Sequence, residues 1–368
     1  MLLFYLMKQL LQKEVPIYER IFSFANLFSA WQDFKKRKQK KKDVAEFASN
    51  LIHNLSVLES DLLSLNYKHG EYFHFKISDP KPRDIHKALV RDRVAHHAIY
   101  RALYPYFDSK FIYDSYSCRI DKGTHKSINR FRSFYRKVSK NNTKTCWVLK
   151  CDIRKFFANI DHEILIEILE KHIKDQNILW LFSQVIDSFT SNLTSKTYGV
   201  NVTNSAIAEN LTNPIYAIDD ISKIGLPLGN LTSQLLVNIY MNEFDQFMKR
   251  KLKVKYYIRY ADDFVILSDD KNYLENLLTK ISNFLSESLK LSLHSDKVYI
   301  KTFASGVDFL GWVNFSHHRV LRTSTKNRMF KNLERNPKEE SQQSYFGMLS
   351  HGSSYKLAKK LEKLYTDI

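Results

Sequence analysis

Three aspartates stand where a divalent metal could support chemistry. Asp262 and Asp263 are adjacent within Tyr256–Leu267, whose two apolar arms predict a β-hairpin. Adjacent carboxylates between apolar arms cost free energy unless a positive group pairs with them. Asp152 stands near the end of Trp147–Ile153, a short apolar run that predicts a buried strand.

Magnesium fits such a set of groups, because it prefers oxygen ligands and is usually bound by one or two carboxylates plus substrate phosphates. Three carboxylates could hold two ions about 3.5–4 Å apart, which activates an attacking oxygen and stabilises the leaving one. A pair of aspartates in a turn is more often simply solvated. The third carboxylate and the basic chain favour the metal.

The charge balance indicates a polyanionic partner. The chain has 368 residues with 57 Lys and Arg against 39 Asp and Glu, a net charge of +18, which suits either nucleic acid or an anionic membrane surface. No run of 18 apolar residues predicts a spanning helix. Residues 1–11 do not fit a signal peptide and predict a helix that packs on the rest. We therefore expect a cytoplasmic protein without a membrane partner.

The elements that would position these groups alternate between two periodicities. Helical spacing occurs in 17–64, 91–107, 163–188, 232–250 and 272–290, and the polar last fifty residues also predict helices. Strand patterns occur in 71–88, which turns at Pro80 and Pro82, and in 147–153, 256–267, 291–301 and 307–314. Residues 190–224 predict a loop-like insertion. The mixture predicts an α+β fold with helices packed behind one sheet. The basic run 35–42 is either a solvated helix end or a contact for RNA phosphates.

The segment Tyr260-Ala261-Asp262-Asp263-Phe264 resembles the catalytic signature of reverse transcriptases, and the resemblance extends over roughly residues 20–360. It implies that Asp152, Asp262 and Asp263 are catalytic and, with Ile153, hold two Mg²⁺ ions. It also implies a right-hand polymerase fold. The expected domains are N-terminal helices and fingers in 1–145, a palm in 146–315 with 171–224 partly in the fingers or the insertion, and a small helical thumb in 316–368.

Phe157 stands five residues after Asp152. In the family this position carries a bulky side chain below the sugar, where it clashes with a 2′-hydroxyl and so selects deoxynucleotides. By spacing, we assign the neighbouring Phe156 to the core.

Further stretches match the family's substrate contacts. Phe75–Val94 resembles the fingers hairpin, in which Lys81 and Arg83 match cations that grip the incoming triphosphate. Lys297 matches a lysine near the leaving pyrophosphate, where it would donate a proton. The resemblance places the template and primer at three further residues, two of them in the 307–312 hairpin that supports the primer strand: Tyr260, Leu310 and Gly311.

The segment Gly225–Gln234 narrows the resemblance. It begins a helix with a glycine-bearing turn whose backbone can approach a nucleotide closely, which makes Gly229 and Gln234 nucleotide-binding candidates. Retrons and group II introns generally end this motif in Ser-Pro, whereas here it ends in Ser-Gln. This ending, and the tail 343–357, resemble the reverse transcriptases of diversity-generating retroelements. Gln234 either contacts the nucleotide pair or satisfies a backbone group in the first helical turn.

This resemblance implies an enzyme that copies a template-repeat RNA into cDNA with errors opposite adenines. Its partners would be the RNA template, the cDNA primer strand, deoxynucleoside triphosphates and a small basic accessory protein that forms a pentamer. Another bacterial reverse transcriptase, retron-like or serving phage defence, is the first alternative. A non-catalytic RNA-binding polymerase fold is the second, which the presence of all three carboxylates opposes. A group II intron protein is disfavoured because no maturase or endonuclease domain follows, and an RNA polymerase because Phe157 would obstruct ribonucleotides.

Overall fold

A computed structural model describes residues 16–78, 82–191, 223–335 and 338–366. The chain divides into two compact units, each built from separate stretches of sequence. The first comprises the chain up to Phe111, Lys155–Glu243 and Leu289–Leu291, and the second comprises Ile112–Arg154, Phe244–Ser288 and the chain from Ser292 onward. The predicted helix in 1–11, Lys81 and residues 192–222 of the predicted insertion lie outside the described residues.

The first unit is mainly helical. Its apolar positions recur at helical spacing, and large side chains such as Leu27, Trp31 and Leu58 are buried together in its core. One antiparallel hairpin, in which Tyr72 pairs with Ala88, stands beside the helices. The bounds of these elements are α1 Ile17–Phe22, α2 Phe24–Lys35, α3 Lys42–Ser49, α4 Leu51–Leu63, β1 Tyr72–Ile77, β2 Arg83–Ala88, α5 Val90–Asp108, α7 His162–His172 and α8 Gln176–Ile186.

The second unit contains a four-stranded antiparallel sheet in the order β4-β5-β3-β6. Its strands are β3 Trp147–Asp152, β4 Tyr257–Tyr260, β5 Asp263–Ser268 and β6 Tyr299–Thr302. Strands β3 and β5 are mostly apolar, and the four central residues of each are buried, as expected for the middle of a sheet covered on both faces. One helix packed against it is α6, Thr124–Val138, through Phe131, Phe134 and Tyr135.

A smaller sheet and a helical cluster complete the second unit. The sheet order is β7-β8-β9, with bounds Val307–Phe309, Trp312–Asn314 and Arg319–Leu321. Its Trp312 packs with Met329, Leu333, Leu349 and Leu361. The remaining helices are α9 Leu231–Gln246, which begins in the first unit and ends in the second, and α10 Lys271–Leu289, α11 Thr323–Arg335, α12 Glu339–Leu349 and α13 Tyr355–Thr366.

These elements confirm the predicted α+β class. The helical stretches are helices, although 17–64 divides into four, and the hairpins at 71–88 and 256–267 have formed. The prediction of a strand through 291–301 is wrong for most of its length, because Ser295–Lys297 forms a 3₁₀ turn and only Tyr299–Thr302 pairs as a strand. Residues 307–314 form two short antiparallel strands joined by a turn, in agreement with the hairpin predicted at 307–312. Within the described residues, no helix is long and apolar enough to cross a membrane.

Candidate active site

The three aspartates meet at one end of the four-stranded sheet. In the antiparallel pairing of β3 with β5, Asp152 stands directly opposite Asp263. Asp262 precedes Asp263 in the two-residue turn between β4 and β5. Directly opposite residues in antiparallel strands have Cβ atoms about 4.5–5.5 Å apart. Register therefore brings Asp152 together with two carboxylates that lie 110 and 111 positions further along the sequence.

The backbone around these aspartates is fixed by hydrogen bonds on both sides. The N–H of Ile153 donates to the Asp262 carbonyl at 3.1 Å, and the N–H of His294 donates to the Asp152 carbonyl at 2.8 Å. Ala261, the first residue of the turn, has φ 56°, a left-handed conformation that is unfavourable for a residue with a side chain. The sequence predicted this hairpin but its turn contains no glycine, so other contacts must hold the strained residue.

Two lysines neutralise part of this negative charge. Lys297 Nζ donates to Asp152 Oδ1 at 2.7 Å, so the residue predicted to act near the leaving pyrophosphate lies beside the aspartates. Lys150 Nζ lies 3.1 Å from Asp263 Oδ1, an ion pair whose angles fall outside those of a hydrogen bond. The pKa of Asp263 is raised from 3.8 to about 7, mainly by burial and to a smaller extent by the neighbouring Asp262 and Asp152, while Lys150 acts in the opposite direction. A further cation would thus be stabilised here.

The donor set suits magnesium, because it consists of carboxylate oxygens and includes Asp263 Oδ1, a buried oxygen without a hydrogen-bond partner. In the part of the chain that the structure describes, no three acidic, histidine or cysteine side chains already stand in the arrangement of a metal site. Unneutralised carboxylates repel one another, and each of two here faces a lysine instead. Binding metal would require these ion pairs to rearrange.

The residues predicted to contact template and primer also lie in the second unit. The Thr124 hydroxyl donates to the Tyr260 hydroxyl at 3.2 Å. Leu310 and Gly311 form the turn between β7 and β8, both with positive φ, 51° and 85°. The N–H of Arg322 donates to the Gly311 carbonyl at 3.0 Å. The turn is therefore an ordered feature with a defined backbone.

The first unit contains four of the residues predicted to bind the nucleotide: Arg83, Phe157, Gly229 and Gln234. Phe157 is half-buried, and its carbonyl accepts from the Leu226 N–H at 2.8 Å, which ties it to the glycine-bearing turn. The same turn is bound to β2, because the His86 N–H donates to the Leu228 carbonyl at 3.1 Å. Arg83 is the exposed first residue of that strand. Three stretches far apart in sequence thus form one hydrogen-bonded group.

Gly229 lies in the turn before α9, and Gln234 lies in the first turn of that helix. Gly229 has φ 112°, a conformation that favours glycine, and a side chain there would also crowd Ile85 Cγ2 at 3.0 Å. Gln234 lies half-buried in the first turn of α9, with its N–H 3.4 Å from the Asn230 carbonyl. Phe156 is buried, with 3% of its surface exposed, which confirms its assignment to the core.

Sequence reasoning missed several buried polar residues around these elements. Asn230 binds β2 with both side-chain groups, donating to the His86 carbonyl at 2.8 Å and accepting from the Ala88 N–H at 3.4 Å. It is 2% exposed. A polar residue between two apolar stretches was the available signal. In the second unit Asp245 and Arg259, both fully buried, pair with each other.

Comparison with known proteins gives a consistent family match. A family model described as reverse transcriptase (RNA-dependent DNA polymerase) matches residues 79–313. Protein YkfC of Escherichia coli (strain K12) is 25% identical over 312 residues, which cover 76% of this chain and 74% of that protein. The group II intron-encoded protein LtrA of Lactococcus lactis subsp. cremoris is 24% identical over 247 residues, which cover 50% of this chain and 37% of that protein.

Solved structures of Candida tropicalis telomerase also match. The apo form is 12% identical with a TM-score of 0.49, and the match covers 74% of this chain and 54% of that chain. The complex with the TWJ fragment of telomeric RNA is 14% identical with a TM-score of 0.49, covering 84% of this chain and 56% of that chain. The chain thus spans little more than half the length of these telomerase chains.

Proposed function

The chain belongs to the reverse transcriptase family, whose right-hand polymerase fold agrees with its α+β architecture, and we propose that it copies RNA into DNA with two magnesium ions. The observation that carries this proposal is the register of β3 with β5, which sets Asp152 opposite Asp263 beside Asp262. We assign the N-terminal helices and fingers to 1–145, the palm to 146–315, with 171–224 partly in the fingers or the insertion, and the helical thumb to 316–368.

The proposed reaction joins a primer 3′-oxygen to the α-phosphorus of a deoxynucleoside triphosphate, and the bond to pyrophosphate breaks. The carboxylates of Asp152, Asp262 and Asp263, with the Ile153 carbonyl, would hold the two ions. Bound magnesium would activate the attacking oxygen and stabilise the leaving one. Lys297, 2.7 Å from Asp152, would donate a proton to the leaving pyrophosphate.

The first unit would supply substrate binding and selection. Arg83, exposed at the start of β2, and Lys81 would bind the triphosphate. The backbone at Gly229 would lie against the nucleotide. The half-buried ring of Phe157 would exclude a 2′-hydroxyl, the one group that distinguishes ribonucleotides from deoxynucleotides at the sugar.

Primer extension tests the activity. The protein is incubated with an RNA template, an annealed DNA primer and deoxynucleoside triphosphates, with magnesium or with EDTA. We expect extension with magnesium and none with EDTA. Tight RNA binding without extension at any magnesium concentration would instead favour a non-catalytic RNA-binding protein.

Within the family we propose a diversity-generating retroelement enzyme, which makes cDNA from a template-repeat RNA with errors opposite adenines. The support is the motif 225–234, with Gln234 where related enzymes generally carry proline. Gln234 lies at the start of a helix whose preceding turn is bound to β2, so its side chain could influence the geometry of the nucleotide pair. A small basic pentameric accessory protein would assist.

Sequencing of cDNA from one defined RNA tests this subtype, with the accessory protein supplied where needed. We expect frequent errors opposite adenine and few opposite the other bases, and fewer adenine errors from Gln234→Pro. Unchanged errors in an active Gln234→Pro variant would remove Gln234 from the explanation and keep the subtype. Accurate copying by wild type would favour another bacterial reverse transcriptase, retron-like or serving phage defence.

A further inference from the structure

Arg259 is fully buried three residues before Asp262, where no substrate can reach it. Its Nε donates to Asp245 Oδ1 at 2.8 Å and its Nη2 to Asp245 Oδ2 at 2.7 Å, a bidentate pair in which both side chains are 0% exposed. Arginine suits such a pair because its planar guanidinium matches a carboxylate at two points. The pair therefore fixes the orientation of the guanidinium.

The remaining amino group of this guanidinium points at the catalytic turn. Arg259 Nη1 donates to the carbonyl of Ala261 at 3.1 Å. Ala261 is the left-handed residue of the turn, and its carbonyl belongs to the peptide that leads into Asp262. The next carbonyl, that of Asp262, accepts from the Ile153 N–H. Both peptides that orient the aspartate pair are thus held by donors from outside the turn.

Arg259 is itself anchored by backbone contacts as well as by Asp245. Its N–H donates to the Asp114 carbonyl at 3.0 Å, and its carbonyl accepts from the Tyr116 N–H at 3.0 Å. Its Nη2 also donates to Ser115 Oγ at 3.0 Å. These contacts leave the side chain one position, so the donor that meets Ala261 is preorganised.

We propose that Arg259, oriented by Asp245, is a positioning residue that holds the Ala261 carbonyl and thereby sets the aspartate pair for metal binding. The inference rests on the proposed function, because it concerns the same metal site. It assigns to a buried pair outside that site a share of the metal affinity. A role in stability alone would leave metal affinity unchanged in every variant that folds.

Three variants separate positioning from stability. Arg259→Lys keeps a buried cation beside Asp245, but a lysine cannot bind that carboxylate at two points and also reach Ala261. The double variant Asp245→Leu with Arg259→Met removes both charges, an exchange that buried ion pairs often tolerate. Tyr257→Phe is the matched control, because the Tyr257 hydroxyl donates to Asp245 Oδ1 at 2.7 Å and is equally buried, but does not contact the turn.

The probe is Mn²⁺ alone, titrated into the nucleic-acid-free protein and followed by electron paramagnetic resonance. Melting temperature and hydrogen exchange of the 257–268 hairpin are measured without metal. We expect Arg259→Lys and the double variant to bind Mn²⁺ about tenfold more weakly, as changes behind metal ligands commonly do. Their hairpins should exchange faster than that of Tyr257→Phe at a similar melting temperature. Tyr257→Phe should bind Mn²⁺ as wild type does.

Wild-type Mn²⁺ affinity in folded Arg259→Lys would overturn the inference, whether or not the double variant folds. That result would leave the proposed function intact if wild type extends a primer and Asp262→Asn does not. If wild type neither binds Mn²⁺ nor extends a primer, the proposed function fails. In that case hydrogen exchange alone tests whether Arg259 positions the turn. An exchange rate of the 257–268 hairpin in Arg259→Lys equal to that of wild type would overturn the inference.

Discussion

The second unit contains two kinds of aspartate–cation pair. Beside the catalytic turn, Asp152 and Asp263 face lysines, and the Lys297 side chain is 39% exposed. Behind the turn, Asp245 faces an arginine, with both side chains inaccessible. A lysine ammonium is a point charge on a flexible stem, whereas a guanidinium gives fixed bidentate geometry. In the proposed metal site, the cations that would have to move aside for metal ions and substrate are thus lysines, whereas the cation proposed to hold the backbone is an arginine.

The largest expected effect follows from removing one negative charge of the proposed metal site. Asp262→Asn should lower the rate of primer extension by roughly a thousandfold or more, because metal ions stabilise several kcal/mol of transition-state charge. RNA binding should change little, since the substitution preserves volume and removes a negative charge. Single-turnover extension and RNA titration measure the two. Asp269→Asn makes the same charge change at an exposed position just after β5, and this variant should extend the primer at the wild-type rate. An equal loss of extension rate in Asp269→Asn would refute the assignment of Asp262 to the metal site.

Breaking the buried pair of Asp245 with Arg259 should instead lower the stability of the fold. Asp245→Asn should lower the free energy of unfolding by about 3–5 kcal/mol, because it leaves a buried guanidinium without its counter-charge. Asp308→Asn is the control: its partner Arg322 and Asp308 itself are each 37% exposed, and exposed pairs contribute about 1 kcal/mol or less. Urea denaturation measures both variants. Equal losses would mean that burial does not distinguish the two kinds of pair.

Two adjacent phenylalanines in the first unit show a similar contrast between a residue proposed to contact the substrate and a residue buried in the core. Phe157→Val should admit ribonucleotides, narrowing the preference for dGTP over rGTP by roughly tenfold or more, since a change of this size in a pocket is worth about 1–3 kcal/mol. Phe156→Leu should lower stability and leave the preference intact, because Phe156 is buried in the core. Competition between dGTP and rGTP in primer extension gives the ratio. Unchanged discrimination in Phe157→Val would make Phe157 a packing residue only.

The sequence allowed prediction of the three aspartates of the proposed metal site, and the family resemblance pointed to Lys297. Neither Lys150 nor the buried pair of Asp245 with Arg259 was predicted. Apolar arms around Asp262 and an apolar run before Asp152 are local patterns, and local patterns predict strands. The partner of a buried charge depends on pairing between distant residues. Among 57 basic residues, nothing in the sequence distinguishes Arg259, which is buried, from an arginine in solvent.

The error at 291–301 has a similar origin. Alternating Leu and polar residues predict a strand there, but His294 bonds to Asp152, and its side chain accepts from the Asp296 N–H at 3.3 Å. These contacts close a 3₁₀ turn over Ser295–Lys297 and bring Lys297 to the aspartates. Local periodicity could not anticipate a turn that is stabilised by a strand far away in sequence.

The smallest expected effect concerns Asp263, one of the two aspartates that face lysines. In the absence of metal, its ionisation should make the stability of the protein depend on pH. Because burial raises the pKa of Asp263 to about 7, its contribution to stability is complete below pH 3.8 and is lost as the pH rises towards 7. Between pH 5.5 and pH 8 the loss should be about 2 kcal/mol, which lowers the melting temperature in EDTA by a few degrees.

Asp263→Asn cannot ionise and should lose less stability over that interval, while Asp269→Asn should follow wild type. At pH 8, magnesium should raise the melting temperature of wild type more than that of Asp263→Asn, because the metal stabilises the ionised carboxylate. Identical pH profiles for wild type and Asp263→Asn would mean that Lys150 already neutralises Asp263 fully, and that this pair is as fixed as Asp245 with Arg259.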